Sequence, residues 1–348
     1  MKQICVYPGS FAPPTYGHFY IIEQAAAIFP EVHIVCSTNP KKDSWFTEEE
    51  CVKMWDAYNL PTNVKVHTFA QFLNEQPNTK DLVMIRGMRN EIDLEDEKQV
   101  LLLNWKKFGI NKYFYIMSSP ELCEVSSSRA RAAAQEFDFQ ALAKNLAPLV
   151  VSALLEKVLK IKNLFMVVGQ PGSGKSTFLR MLSDLTILNT HINTDNFNHQ
   201  LRPYLEKLFP GQDLVDVATH DEEALKIAIA KPWFELLAQS LQHIPYDSNV
   251  FVEIPYGMQA DKLMFRFVGG KVIYVGCDDT AENQRRVLAR GTPKLVSFID
   301  RIPGWEETYK IAEQYRLQLS RVRTGGDMEA TKQEAKRFNK EVLNVTRS

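Results

Sequence analysis

Two glycine-punctuated loops, each placed directly after a short apolar run, constrain this chain more than any other feature. The first is Tyr7-Pro-Gly-Ser-Phe-Ala-Pro-Pro-Thr-Tyr-Gly-His18, after the run that starts at Ile4. The second is Gly169-Gln-Pro-Gly-Ser-Gly-Lys-Ser176, after Leu164–Val168. A buried strand that enters a glycine loop and leaves as a helix brings backbone N–H groups and a helix N-terminus to one point, which suits an anion. The loops lie about one domain length apart. The 348 residues are therefore expected to form two domains, 1–160 and 161–348, each able to bury a core.

The pattern between the loops predicts an α/β class. Ile4–Tyr7, Val32–Cys36, Val64–His67, Leu82–Ile85 and Tyr113–Met117 read as buried strands, with helical spacing between them. His18 to Phe29 carries apolar residues at helical intervals, and Thr47 with three glutamates after it opens another helix. Gln140 to Lys160 reads as one amphipathic helix running into the boundary. Alternation restarts at Leu164–Val168 and continues with Val250–Ile254 and Val272–Val275. From Thr280 onward the chain reads as mostly helical and highly charged. Such alternation predicts parallel sheets with helices on both faces.

Charge and cysteine usage exclude several classes. With 41 Lys and Arg against 42 Asp and Glu, the net charge of −1 argues against nucleic acid or an anionic membrane as partner. No segment approaches 18 uninterrupted apolar residues. Five scattered cysteines, none in a C-x-x-C pair, fit a reducing compartment, and the N-terminal run lacks signal-peptide architecture. A cytoplasmic location is the expectation.

In the first loop, Gly9 and Gly17 allow the backbone to approach phosphate oxygens, and His18 can donate to a phosphoryl oxygen. The loop resembles the T-x-G-H signature of nucleotidyltransferases. Three further segments match the phosphopantetheine adenylyltransferase family in order and spacing. They are the lysine loop Asn39-Pro-Lys-Lys-Asp-Ser-Trp-Phe-Thr47, the Arg86-Gly-Met-Arg89 segment with its acidic continuation, and Ser119 to Arg131 with its run of three serines, 126–128. The resemblance covers roughly residues 3–158 and implies a Rossmann-like domain moving AMP from ATP to 4′-phosphopantetheine. It implies that Gly9, Ser10, Phe11, Gly17, His18, Arg89, Glu97, Ser126, Ser127 and Ser128 bind ATP. Ser10, Lys42 and Arg86 would hold the acceptor, with His18, Lys42 and Arg86 carrying the chemistry and Mg²⁺ accompanying the triphosphate. Departures are Ala12 for an aspartate, Cys51 for an arginine and Arg131 for a lysine. Arg131 resembles a residue of nicotinamide-mononucleotide adenylyltransferases, which keeps that acceptor open with a ribosylnicotinamide kinase as its second half. A homo-oligomer is also left open.

The second loop fits G-x-x-x-x-G-K-[ST] in its required context between strand and helix. Gly169, Gly172, Ser173, Gly174, Lys175, Ser176 and Thr177 would wrap ATP phosphates, Lys175 reaching the outer oxygens and Ser176 binding Mg²⁺. Further on, the chain resembles P-loop small-molecule kinases. Asp195 matches the aspartate that takes a substrate hydroxyl proton, and Arg286 and Arg290 match arginines of a lid helix. Glu253 near a strand end suits magnesium or a substrate contact. The pairing of the two halves resembles bifunctional CoA synthase and implies dephospho-CoA, or another small hydroxyl compound, as the kinase substrate. A nucleotide-sensing second half with little turnover is the other reading.

Overall fold

The computed structural model describes residues 4–38, 45–76, 79, 81–89, 101–102, 104–212, 217, 222–254, 269–277, 279–325 and 328–343. The chain divides into two compact units, Met1–Val150 and Val151–Ser348.

In the first unit, β1 (Ile4–Gly9) leads through the first glycine loop into α1 (Tyr16–Ile28). Then come β2 (Glu31–Cys36), α2 (Glu48–Met54), β3 (Val64–Thr68), α3 (Phe69–Glu75), β4 (Val83–Met88) and β5 (Lys112–Met117). The sheet order is β3-β2-β1-β4-β5 and every described pairing is parallel. The chain leaves β1 to one side for β2 and returns to its other side for β4. That places a topological switch point at the carboxyl end of β1, where ligands of open parallel sheets collect. One face of the sheet buries Val6, Val35, Leu82 and Met84 against Phe72 of α3 and Ile110. Burial of a side chain such as Phe72 contributes about 2–3 kcal/mol.

The expected single helix from Gln140 to Lys160 is instead a pair. After α4 (Ser127–Gln135) come α5 (Phe139–Asn145) and α6 (Pro148–Leu159), separated by Leu146 in extended conformation. Pro148 lacks the N–H that a continuous helix would need, and proline fits the first helical position, so the amphipathic stretch restarts there.

The second unit repeats the plan with a different sheet. Its elements are β6 (Asn163–Val168), α7 (Lys175–Ser183), β7 (Asn189–Asn193), α8 (Phe197–Leu208), α9 (Glu222–Gln242) and β8 (Asn249–Glu253). They continue with β9 (Lys271–Gly276), α10 (Thr280–Ala289), α11 (Trp305–Gln314), β10 (Gln318–Arg323) and α12 (Met328–Phe338). The order is β10-β9-β6-β8-β7, with parallel pairing throughout the described residues. The switch point again falls at the end of the strand feeding a glycine loop, here β6. One face packs Phe165, Val167, Phe251, Ile273, Val275 and Val322 under Phe178, Leu179 and Leu182 of α7 and Phe338 of α12.

Beyond Thr280 the described residues are mostly helical, as the sequence predicts, with β10 as a strand that it does not show. Only Val322 of its six residues is buried, because β10 is an edge strand, and its arginines hide the apolar alternation. The Arg321 guanidinium lies 4.5 Å from the Trp305 ring centroid, so its charge is accommodated on an aromatic face.

At the opposite end of this sheet the first residues of four strands form a polar ladder. Lys271 Nζ donates to Asn163 Oδ1 (2.9 Å), Asn163 Nδ2 to Asn249 Oδ1 (2.9 Å) and Asn249 Nδ2 to Asn189 Oδ1 (3.0 Å). Lys271 also pairs with Glu156 of α6 at 2.7 Å, and Glu156 Oε1 accepts from Leu164 N–H at 2.8 Å. Burial raises the Glu156 carboxyl, against the pull of Lys271.

Candidate functional site

The first glycine loop is built around two consecutive prolines. Neither Pro13 nor Pro14 has an N–H, and both are buried, so the loop carbonyls must find donors from elsewhere. Three side chains from other elements supply them. Arg131 Nη1 donates to Ala12 O (2.6 Å), Ser127 Oγ to Pro13 O (2.8 Å) and the buried Tyr58 hydroxyl to Pro14 O (2.9 Å). These contacts fasten α4 to the loop. Arg131, the departure noted in the sequence, therefore serves as a loop tie, its guanidinium 5.6 Å from the Trp45 ring.

Thr15, fully buried, caps α1, and His18 occupies the third helical position. Thr15 Oγ1 accepts from the His18 N–H at 3.4 Å. His18 Nδ1 lies 3.1 Å from the Thr15 backbone nitrogen, completing the reciprocal half of a capping box. A backbone N–H can only donate, so Nδ1 is the acceptor and the neutral ring carries its proton on Nε2. Burial, with the Arg89 guanidinium nearby, lowers the imidazole to about 4. His18 is thus a neutral N–H donor at physiological pH. Phe11, at φ 43°, turns its side chain into the core, its ring edge-on to His18 at 5.1 Å and to Trp55 at 5.3 Å. That ring props the imidazole from the protein side.

The remaining first-site residues assemble around this loop. Gly9 ends β1, Ser10 is exposed, and Gly17 is buried in the first turn of α1. Ser126 caps α4 through Arg129 N–H (3.3 Å), and its hydroxyl lies 3.2 Å from that of Ser128. Arg86 on β4 donates to Pro8 O at 3.3 Å, and Arg89 stands exposed just beyond that strand. Lys42 and Glu97 lie outside the described residues. Thr15 is the first residue of the T-x-G-H signature, whereas Tyr58 belongs to no motif, although the Pro-Pro pair signals a need for outside donors.

The second loop wraps the start of α7. Gly169 (φ 147°) and Gly172 (φ 77°) are required by close approach: a Cβ would stand 2.1 Å from Val275 O and 2.3 Å from Asn283 O respectively. Gly174, also at positive φ, is the N-cap of α7 and offers no capping side chain. Ser173 is fully buried, its carbonyl accepting from the Thr324 hydroxyl, and Thr177 lies in the first turn of α7. Lys175 is buried, with Nζ donating to Gly169 O (2.7 Å) and Gln170 O (3.3 Å).

Glu253, at the end of β8, is the charged centre of this site. Ser176 Oγ donates to its carboxylate (3.2 and 3.3 Å), and His191 Nε2 lies 3.2 Å from Oε2. Burial would raise this carboxyl, but His191, Lys175 and Ser176 outweigh it and hold it below the usual carboxylate range. Asp195, in the turn after β7, is raised by desolvation and by the nearby charge of Glu253. Thr194 between them donates to Glu253 O. A hydroxyl beside a carboxylate is an oxygen donor pair of the kind Mg²⁺ takes, so Ser176 and Glu253 fit that ion. His191 carried no recognisable motif; only its place on β7 beside β8 brings it to Glu253.

Arg286 sits behind the loop. It pairs with Glu282 (2.8 Å) and reaches Gly172 O (3.4 Å) and Thr324 O (3.3 Å), tying α10 and the end of β10 to the loop backbone. Arg290 is exposed at the C-cap of α10.

Comparison with known proteins separates the two halves. The cytidylyltransferase-like family matches residues 6–133. The phosphopantetheine adenylyltransferase of Aquifex aeolicus (strain VF5) is 38% identical over 134 residues, 38% of this chain and 82% of the relative. The chain belongs to the phosphopantetheine adenylyltransferase family. The phosphopantetheine adenylyltransferase of Leptospira biflexa (strain Patoc 1 / Ames) agrees at 33% identity over 165 residues, covering 45% of this chain and 98% of the relative. Membership in the phosphopantetheine adenylyltransferase family thus rests on the first unit, a Rossmann-like nucleotidyltransferase domain. A solved NadR protein in complex with NAD and AMP-PNP aligns over 97% of both chains at 15% identity. Its TM-score of 0.32 is too low to carry fold or chemistry across.

Proposed function

We propose that the first unit transfers the adenylyl group of ATP to 4′-phosphopantetheine, giving dephospho-CoA and pyrophosphate. The observation that carries this reading is His18, held by Thr15 with its proton on Nε2 in the loop where the family's signature lies. A phosphate oxygen of the acceptor attacks the α-phosphorus, the bond to the bridging oxygen breaks, and pyrophosphate leaves. No covalent enzyme intermediate is needed. Positioning and charge neutralisation supply the rate. His18 donates to the α-phosphoryl oxygen as negative charge builds there. Ser10, with Ser126 and Ser128 at the start of α4, binds the phosphate chain, and Arg86 and Lys42 hold the acceptor. Mg²⁺ would screen the triphosphate.

For the second unit we propose an ATP-dependent kinase acting on a small hydroxyl compound, with dephospho-CoA as the first candidate. Glu253 and Ser176 would hold Mg²⁺, which screens the outer phosphates when bound. Asp195, its carboxyl raised, is the base for the acceptor hydroxyl. The hydroxyl oxygen bonds to the γ-phosphorus, the β,γ-bridging bond breaks, and the proton passes to Asp195.

Mass spectrometry of products from Mg-ATP with 4′-phosphopantetheine, run beside nicotinamide mononucleotide, tests both steps. Dephospho-CoA converted onward to CoA is the expected result. Product from the nicotinamide acceptor alone overturns the first assignment, and dephospho-CoA that accumulates unchanged overturns the candidate kinase substrate.

A further inference from the structure

Gln170 is the residue of the second loop whose side chain turns away from α7. Its amide nitrogen donates to Ile299 O at 2.9 Å and Ile302 O at 3.4 Å, and its amide oxygen accepts from Asn283 Nδ2 at 3.2 Å. Two carbonyls facing one nitrogen fix which way the amide points, since the reverse orientation would set oxygen against oxygen. Both hydrogens are used, so the side chain is a two-point clamp. The residues it brackets are Asp300 and Arg301, both exposed, while Ile299 and Ile302 on either side are buried. The turn is therefore anchored by apolar side chains below and by the phosphate loop beside it.

Two residues of α10 contact the loop backbone from the other side. Asn283 presents its backbone carbonyl to Gly172, and Arg286 binds Gly172 O and Thr324 O. Arg290 lies one turn beyond, exposed on α10. A phosphoryl group in transfer carries charge on its equatorial oxygens, and a positioned guanidinium is the usual means of stabilising it. Arg301 lies in the turn whose flanking carbonyls Gln170 holds.

We propose that Gln170 is a positioning residue for phosphoryl transfer in the second unit, holding the Asp300–Arg301 turn so that Arg301 meets the transferring phosphoryl group. The proposal rests on the kinase reading and deepens it. Mg-ATP binding needs the loop backbone and Lys175; Gln170 acts on the chemical step through Arg301.

The test uses the full-length chain with Gln170→Ala, Gln170→Glu, Arg301→Ala and the double variant Gln170→Ala/Arg301→Ala. Gln170→Glu keeps the side-chain shape and sets an acceptor against both carbonyls, and retained Mg-AMP-PNP binding shows that each variant is folded. Phosphoryl transfer is read as ADP release from Mg-ATP with dephospho-CoA, ribosylnicotinamide or water as acceptor. Binding of Mg-AMP-PNP and tryptic cleavage after Arg301 are measured alongside. Expected is a loss of about 10²-fold in kcat for each single variant, the size that a displacement of about 1 Å produces. KM for ATP and Mg-AMP-PNP affinity should stay within about threefold, as for an interaction made only in the transition state. The double variant should be no slower than the slower single variant. Cleavage after Arg301 should accelerate in both Gln170 variants. Unchanged kcat, a raised KM alone, or losses that multiply in the double variant overturn the proposal while leaving the kinase intact. A wild-type chain releasing no more ADP than Lys175→Ala overturns the kinase reading, and the proposal falls with it.

Discussion

At the scale of single residues, the first site turns on one proton. The Thr15 N–H occupies His18 Nδ1, so the ring donates through Nε2 without being a cation. With the imidazole lowered to about 4, His18 does not change charge between pH 5.5 and 8.5, and its contribution to adenylyl transfer should be flat across that range. A rate limb with an apparent pKa near 6.5 that disappears in His18→Asn would contradict this. His18→Asn should lower kcat about 10²–10³-fold, the usual cost of removing one preorganised donor. Thr15→Val should be milder, because the backbone N–H still holds Nδ1. It loses the hydroxyl cap and about 1 kcal/mol of stability, measurable by denaturant titration.

At the scale of elements, the strands carry polar groups whose partners come from neighbouring strands. His33 on β2 and His67 on β3 stack at 5.0 Å and share a 3.0 Å nitrogen–nitrogen contact, with Glu31 on His33 Nε2 (3.0 Å) and Glu75 near His67. Burial lowers both imidazoles from their usual 6.5. A base lowered on folding binds fewer protons folded than unfolded, so stability is full above the unfolded pKa and declines as pH falls below about 6.5. The melting temperature should therefore fall between pH 7.5 and 5.0, and less steeply in His67→Gln; equal slopes would remove this pair as the cause. In the second sheet, Lys271→Met leaves Glu156 buried without its cation and should cost about 3 kcal/mol in urea unfolding.

At the scale of the whole molecule, each unit sets a glycine loop at the switch point of its own five-stranded parallel sheet. Lys175→Ala should abolish the proposed phosphoryl transfer of the second unit and leave the proposed dephospho-CoA formation within about twofold, since substitutions at independent sites behave additively. A parallel loss of both activities in product assays would show instead that the reactions share machinery. Much of this plan was legible in the chain. Both loops, eight of the ten described strands and the parallel class follow from local signals: apolar runs of strand length, glycines at fixed spacing, a helix cap. β7 holds a single apolar residue, Ile192, and gives no such signal. β10 was hidden because an edge strand tolerates arginines, and the break at Pro148 because the apolar stripe continues on either side of it. What only the tertiary structure decided was which distant side chains meet the loops. Tyr58, Ser127 and Arg131 reach the carbonyls of Ala12, Pro13 and Pro14; Thr324 and Arg286 fasten the second loop; His191 meets Glu253. Backbone conformation is governed by neighbours a few residues away, so a sequence displays it. Partners for a buried carbonyl or carboxylate are chosen by strand order and register, which exist only once the sheet has formed.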